Sequence, residues 1–306
     1  MIVPPPMPNR PLKAPAAVAI AARRTSRGDI GGHTRGVSAP TADALAENLR
    51  PLTDDPRGAA VFCDIDGTLA PIVQRAEEAH VKKEVSLLLG RLGRRYGCVA
   101  CVSGRSAAEA RRLVGVGSIA YAGSHGAELL EPGSKTPRVI PAFKSWEGRV
   151  RGFAREEDGP ELRLVRVRIE DKGPISAFHW RGVPDEDRAR THLEGLAQRA
   201  EAAGLATHWG RKVLEVRPPV PIGKGQAVRD LVDSARPRAA LFGGDDATDL
   251  DAFDALVALV AGGQLDSALR VGVRSEEGPP GIVERADVVV EGVGGFTRVL
   301  AALAED

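Results

Sequence analysis

From residue 59 onward, short apolar runs alternate with stretches of helical spacing. Residues 59–63 (Ala-Ala-Val-Phe-Cys) form an unbroken apolar run that stops at Asp64, the pattern of a strand buried on both faces. Residues 82–96 place Val85, Leu88, Leu89 and Leu92 on one helical face, and Gly97 ends that segment. A second buried strand is predicted over 99–102, a helix over 106–114 and a third strand over 119–122. The same rhythm returns late in the chain. It predicts a helix at 223–235, a strand at 239–242, a helix at 248–259, strands near 269–273 and 288–290, and a last helix at 296–304. Strand and helix alternating at this pace imply a doubly wound α/β core with a parallel sheet.

The middle third breaks the rhythm. Residues 162–169 alternate apolar and basic, which predicts a strand with one buried face; 175–180 reads as its partner across a turn at 171–174. A helix at 185–203 and a strand around 212–216 complete an inserted α+β module spanning 132–218. The core is then 41–131 together with 219–306. Thr41 is expected to cap a short helix over 42–50, ahead of a loop at 51–57. Residues 1–40 are rich in Pro, Gly, Arg and Ser without apolar periodicity, so a disordered extension is expected there.

Composition narrows the function classes. The 306 residues carry 42 Lys and Arg against 41 Asp and Glu, which gives no sign of a nucleic-acid partner. The balance is uneven: residues 1–40 hold six basic side chains and only Asp29, leaving the remainder mildly acidic. The three cysteines, Cys63, Cys98 and Cys101, all lie in apolar runs and read as buried thiols of a reducing compartment. No apolar run suits a membrane span, and the short apolar stretch at 14–22 has its charges on the wrong side for a secretory signal. The expected location is the cytoplasm.

The chemistry gathers where predicted strands end. Asp64 and Asp66 follow the first strand and lead into Gly67 and Thr68. Two close carboxylates repel, and a hard divalent cation such as Mg²⁺ relieves that repulsion through oxygen ligands. A metal-bound carboxylate can then attack phosphorus while its neighbour carries the proton. Ser103 and Gly104 end the second strand, Lys224 opens a helix, and Asp245 and Asp246 end a further strand with Asp249 just beyond. Four strand–helix junctions delivering such groups to one sheet edge point to phosphate and metal binding.

These residues resemble, in order, the four motifs of the haloacid-dehalogenase-like phosphatases. The resemblance implies Asp64 as nucleophile, Asp66 as general acid and base, and Thr68, Ser103, Gly104 and Lys224 as phosphate contacts. It also implies that Asp64, Asp66 through its carbonyl, and Asp245 ligate Mg²⁺. Asp246 and Asp249 stand as supports for that site, with their contact to the ion left open. A narrower resemblance, over 41–304, is to trehalose-6-phosphate phosphatases. It rests on the stretches at 64–72, 123–128, 170–172, 178–181, 210–218 and 244–253. It implies trehalose 6-phosphate as substrate, functional coupling to a trehalose-phosphate synthase, and Arg105, His125, Glu128, Lys172, Lys212 and Glu215 as sugar contacts. Alternatives are another sugar phosphate (sucrose phosphate, or glucosyl- or mannosyl-phosphoglycerate) and an inactive sugar-phosphate-binding regulatory protein. Leu250 occupies a position that this family usually gives to an acidic residue, so altered metal tuning is expected.

Overall fold

The computed structural model describes residues 41–73, 78–275 and 278–305. The expectation of disorder for 1–40 lies outside them. The first helix, α1 (Ala42–Thr53), is capped by Thr41, whose hydroxyl accepts from the Ala44 amide. It continues through Pro51 for one turn beyond the expected end. Leu49 and Leu52 are both buried, so packing holds the last turn despite the missing amide donor.

The core follows as β1 (Ala59–Cys63), α2 (Lys83–Arg95), β2 (Cys98–Val102), α3 (Ala107–Val114), β3 (Ala120–Gly123), β4 (Glu128–Leu130) and β5 (Arg138–Val139). A long insert comes next: α4 (Pro141–Lys144), α5 (Glu147–Glu157), α6 (Pro160–Leu164), β6 (Arg168–Asp171), β7 (Ser176–His179), α7 (Glu186–Ala202), β8 (Ala206–Gly210) and β9 (Val213–Arg217). The chain returns to the core as α8 (Lys224–Ala235), β10 (Ala239–Gly244), α9 (Asp249–Ala261), β11 (Ser267–Arg274), α10 (Pro280–Arg285), β12 (Val288–Glu291) and α11 (Gly292–Ala304).

The large sheet has the order β12-β11-β10-β1-β2-β3-β4-β5, parallel from β12 to β3 and antiparallel at the β4–β5 edge. Its strands alternate between two cores. Ala59, Val61 and Cys63 of β1 join α1, α2, α3 and α11 on one face, while Ala60 and Phe62 join α8, α9 and α10 on the other. This two-sided burial explains why β1 reads as a continuous apolar run. β1 lies between β2 and β10, where the direction of winding reverses, so their carboxyl ends border the crevice in which such sheets bind ligands. The expected fold class, a doubly wound α/β core with an inserted α+β module, is what the molecule has.

β5 lies within the 132–218 stretch expected to form the insert, yet it pairs with β4 in the large sheet. The insert's own antiparallel sheet has the order β6-β7-β9-β8. One of its faces (Phe178, Leu214, Val216) packs on α5 and α7 in a third core. Within the insert, 162–169 is not one strand: residues 160–164 are helical and β6 starts only at Arg168. Gly159 and Pro160 set the helix start, and Leu162 and Val165 fall three apart on one helical face. Leu164, which alternation would pair with Leu162, is 67% exposed. The apolar–basic pattern, interrupted by the pair Leu164-Val165, fits both periods, and the preceding Pro160 favours the helix. Cys98 and Cys101 lie together on β2 and, with Cys63, are free thiols; Cys63 and Cys101 are buried as expected, whereas Cys98 is half-buried. No helix of the described residues is long and apolar enough to cross a membrane.

Candidate active site

Asp64 is the first residue past β1, and its amide still donates to Gly243 O of β10 (2.9 Å). Its carboxylate is thereby fixed at the sheet edge and is almost fully buried. Lys224, the first residue of α8, reaches the same spot with 2% exposure. Its Nζ lies 2.8 Å from Asp64 Oδ1 and 2.6 Å from Asp249 Oδ1. Asp249 opens α9, and its Oδ2 accepts from the amides of Asp245 and Asp246 (both 2.9 Å), fastening the end of β10. Gly244 makes this approach feasible, because a Cβ there would sit 2.3 Å from the Asp249 carboxyl carbon. Gly67 is required twice over. Its φ is +92°, and a Cβ would sit 2.2 Å from Asp245 Oδ2.

Asp64, Asp245 and Asp249 bring carboxylate oxygens within 4.8 Å of one another, all buried. Three buried carboxylates face one lysine, an imbalance that a divalent cation would neutralise. Burial is the main force on each. It raises the Asp64 carboxyl well above its usual range against the pull of Lys224, and it pushes Asp245 up to about 7, with Asp249 and Asp246 adding to the rise. Burial also acts on Asp246, but there the Lys224 ammonium and the hydrogen bonds from Thr248 prevail, lowering it to about 2. Asp245 Oδ1 accepts from Thr68 Oγ1 (3.5 Å), whereas its buried Oδ2 has no hydrogen-bond partner. That atom, beside Asp64, fits a cation ligand, and an all-oxygen donor set suits a hard ion. Asp249 has both oxygens occupied by Lys224 and the two amides, so it serves as the brace. Leu250, next in sequence, points to α10, with Cδ1 3.2 Å from where a Gly281 Cβ would be, and takes no part in the acidic cluster.

Asp66 is turned differently. Arg105 clamps its carboxylate with two bonds, Nε to Oδ2 (2.7 Å) and Nη2 to Oδ1 (2.8 Å), and Glu109 holds the other side of the guanidinium at 2.5 Å. Ser103, buried at the end of β2, accepts from the Arg105 amide through Oγ (3.2 Å).

The insert's sheet presents its second face over these strand ends. By alternation, Glu170, His179, Glu215 and His208 all leave the third core and line a cavity of about 270 Å³ shared with Asp64, Asp66, Ser103, Arg105 and Lys224. Lys172 spans the two layers, donating to Gly104 O (3.0 Å) and to Glu215 Oε1 (3.1 Å). Glu215 also lies 3.4 Å from His125 Nε2. Burial alone would raise Glu215, but His125 and Lys172 outweigh it and hold the carboxyl far below the usual range. His179 pairs with Glu170 at 2.7 Å.

The structure therefore gathers Asp64, Asp66, Ser103, Gly104, Arg105, His125, Lys172, Glu215, Lys224 and Asp246 around one cavity. Two of the expected sugar contacts lie elsewhere. Glu128 spends its carboxylate on the Ala107 amide at the start of α3 (2.9 Å), below the cavity. Lys212, at φ +57°, turns outward to Glu186, while its neighbour Arg211 faces in. Sequence reasoning missed Glu109 and His208. The first had a signal in its i, i+4 spacing from Arg105. The second sits on β8, a strand too polar to stand out, and meets Glu215 only through register. Trp180, within the 178–181 stretch, belongs to the third core.

Comparison with known proteins gives this geometry a relationship. The trehalose-phosphatase family model matches residues 62–278. A trehalose-phosphate phosphatase of Mycolicibacterium paratuberculosis is 34% identical over 215 residues, covering 65% of this chain and 52% of its own length. An uncharacterized glycosyl hydrolase of Mycobacterium tuberculosis is 35% identical over 208 residues, 65% of this chain but 15% of that protein. The chain thus spans about half the length of the curated phosphatase it matches, and less of the longer relative. Among solved structures, a trehalose-6-phosphate phosphatase related protein superposes with a TM-score of 0.62 at 25% identity, covering 80% of this chain and 96% of the other. The fold is also similar to that of a haloacid dehalogenase-like hydrolase from Bacteroides thetaiotaomicron, with a TM-score of 0.55 at 12% identity, and the chain belongs to the trehalose-phosphatase family.

Proposed function

We propose that this protein hydrolyses trehalose 6-phosphate to trehalose and phosphate, with Mg²⁺ held by Asp64, Asp245 and the carbonyl of Asp66. The observation that carries this reading is the buried, partnerless Asp245 Oδ2 beside Asp64 and Lys224, beneath a cavity rich in sugar-binding groups. Bound there, Mg²⁺ supplies charge stabilisation for the phosphoryl oxygens. Asp64 attacks phosphorus, forming an aspartyl-phosphate as the bond to the sugar oxygen breaks. Asp66 gives its proton to that oxygen, then takes one from the water that attacks phosphorus in the second step, releasing phosphate and restoring Asp64. Asp66 must first leave the Arg105 clamp, and an incoming phosphate offers Arg105 a new anion. Lys224, Thr68, Ser103 and the Gly104 amide hold the remaining phosphate oxygens.

In this reading the stretch 132–218, apart from β5 in the core sheet, is the substrate-selecting cap over a core of 41–131 and 219–306. His125, Lys172 and Glu215 supply the mixture of donors and acceptors that sugar hydroxyls need. The substrate would come from a trehalose-phosphate synthase, in the cytoplasm where such precursors are made. The test is phosphate release from a panel of sugar phosphates with Mg²⁺ and then with a chelator. Mg²⁺-dependent preference for trehalose 6-phosphate supports the proposal. Preference for sucrose phosphate or a glycosyl-phosphoglycerate would keep the chemistry and replace the substrate, and no release from any member would sink both.

A further inference from the structure

A second groove, about 790 Å³, opens from the catalytic cavity beside Asp66 and runs outward between the core loop at Ile72–Val73 and the insert. Six cationic side chains line it: Arg105, Arg166, Arg168, Arg181, Arg211 and Lys212. Among the described residues lining it, Asp66 is the one carboxylate, and Arg105 already holds it by two bonds. Arg166, Arg168, Arg181, Arg211 and Lys212 are exposed and come from three separate places in the insert: the approach to β6, the turn after β7 and the β8–β9 turn. Two of them, Arg166 and Lys212, hold left-handed backbone at φ +56° and +57°, a conformation disfavoured for long side chains.

Arginine and lysine offer donors only, whereas sugar hydroxyls want acceptors as well. The inner cavity supplies those acceptors through Glu170 and Glu215, whereas the groove's one carboxylate, Asp66, is already held by Arg105. Arg105 is paired with Asp66 and Glu109 and Lys212 with Glu186, so the excess positive charge rests mainly on Arg166, Arg168 and Arg181, and a cleft with an excess of one sign concentrates counter-ions. We propose that this groove is an accessory oxyanion site that binds a second phosphate-class anion next to the reacting one. The source is either free inorganic phosphate or a second anionic substituent of the sugar phosphate. The inference rests on the phosphatase reading only for where that anion comes from.

The test uses the full chain and a triple variant, Arg166→Ala/Arg168→Ala/Arg181→Ala, whose three side chains are exposed and outside the proposed catalytic set. Calorimetric titration with sodium phosphate at low ionic strength is expected to show a second phosphate bound by the wild type. The triple variant should bind it about tenfold more weakly, and the matching Arg→Lys variants should recover most of the affinity. Added salt should weaken this event more than binding at the buried inner site. Phosphate stoichiometry and affinity unchanged by the triple Ala substitution would overturn the proposal. The reading does not depend on turnover, so a failure of the phosphatase assignment is seen separately. A kinetic arm identifies the source. A fall of the bisphosphate-to-monophosphate ratio of kcat/KM in the triple variant assigns the groove to a substrate's second anion, and an unchanged ratio with lost phosphate binding assigns it to free phosphate.

Discussion

The two walls of the cavity solve different problems. The core wall keeps three carboxylates and one lysine almost fully out of water, in an arrangement short of positive charge. The insert wall carries charges balanced in pairs, buried Glu215 with Lys172 and with His125 of the core, and half-buried Glu170 with His179. Burying unbalanced charge is costly and is retained where a cation and a developing phosphoryl charge repay it. Balanced pairs cost less and present hydroxyl-sized sets of donors and acceptors. Under the proposed function, reactivity is built into the core and choice of substrate into the insert.

Breaking the core wall should have the largest effect. Lys224→Met leaves Asp64 and Asp249 buried without their cation, and we expect a loss of about 3–5 kcal/mol in metal-free stability, read by denaturant unfolding. A loss much below that would mean that the carboxylates are not facing one another as charges. On the insert wall, Glu215→Gln is expected to raise KM for the preferred sugar phosphate by roughly tenfold while kcat changes less. Lys212→Ala, whose partner Glu186 lies outside the cavity, should stay within about twofold of wild type in both constants. Equal effects from the two variants would erase the distinction between the walls.

A pH series sharpens the comparison further. Asp245 has its folded value raised from the ordinary 3.8 to about 7, so between those values the folded state binds more protons than the unfolded one. Its contribution to metal-free stability is therefore lost as pH rises from about 4 to about 7. Measured as the wild-type minus Asp245→Asn difference in melting temperature, stability should fall across that window and recover with millimolar Mg²⁺. A flat difference would mean that burial and the neighbouring carboxylates do not raise Asp245 in the folded protein.

How much of this was legible depends on what each residue's environment advertises. Asp64 and Asp245 follow the ends of apolar strand runs, and such abrupt breaks in a two-sided strand are visible in one dimension. The clamp of Arg105 on Asp66 joins residues 39 apart, and no local pattern encodes it. His208 reaches the cavity only because β8 pairs with β9 in a register that sets it beside Glu215. Lys212 shows the reverse failure. It lies in a motif-like stretch, but a left-handed backbone at that one residue turns it outward and Arg211 inward. Helix α6 was hidden because Leu162 and Val165 satisfy a helical face while the flanking residues mimic alternation.

The central claim is that Asp64 is the atom acceptor of the phosphoryl group. The most direct measurement is rapid acid quench of the enzyme with phosphate-labelled trehalose 6-phosphate and Mg²⁺, followed by peptide mapping of protein-bound label. The account predicts an alkali-labile acyl phosphate on Asp64 that is absent from Asp64→Asn. Turnover with no covalent label, or label on another residue, would contradict it.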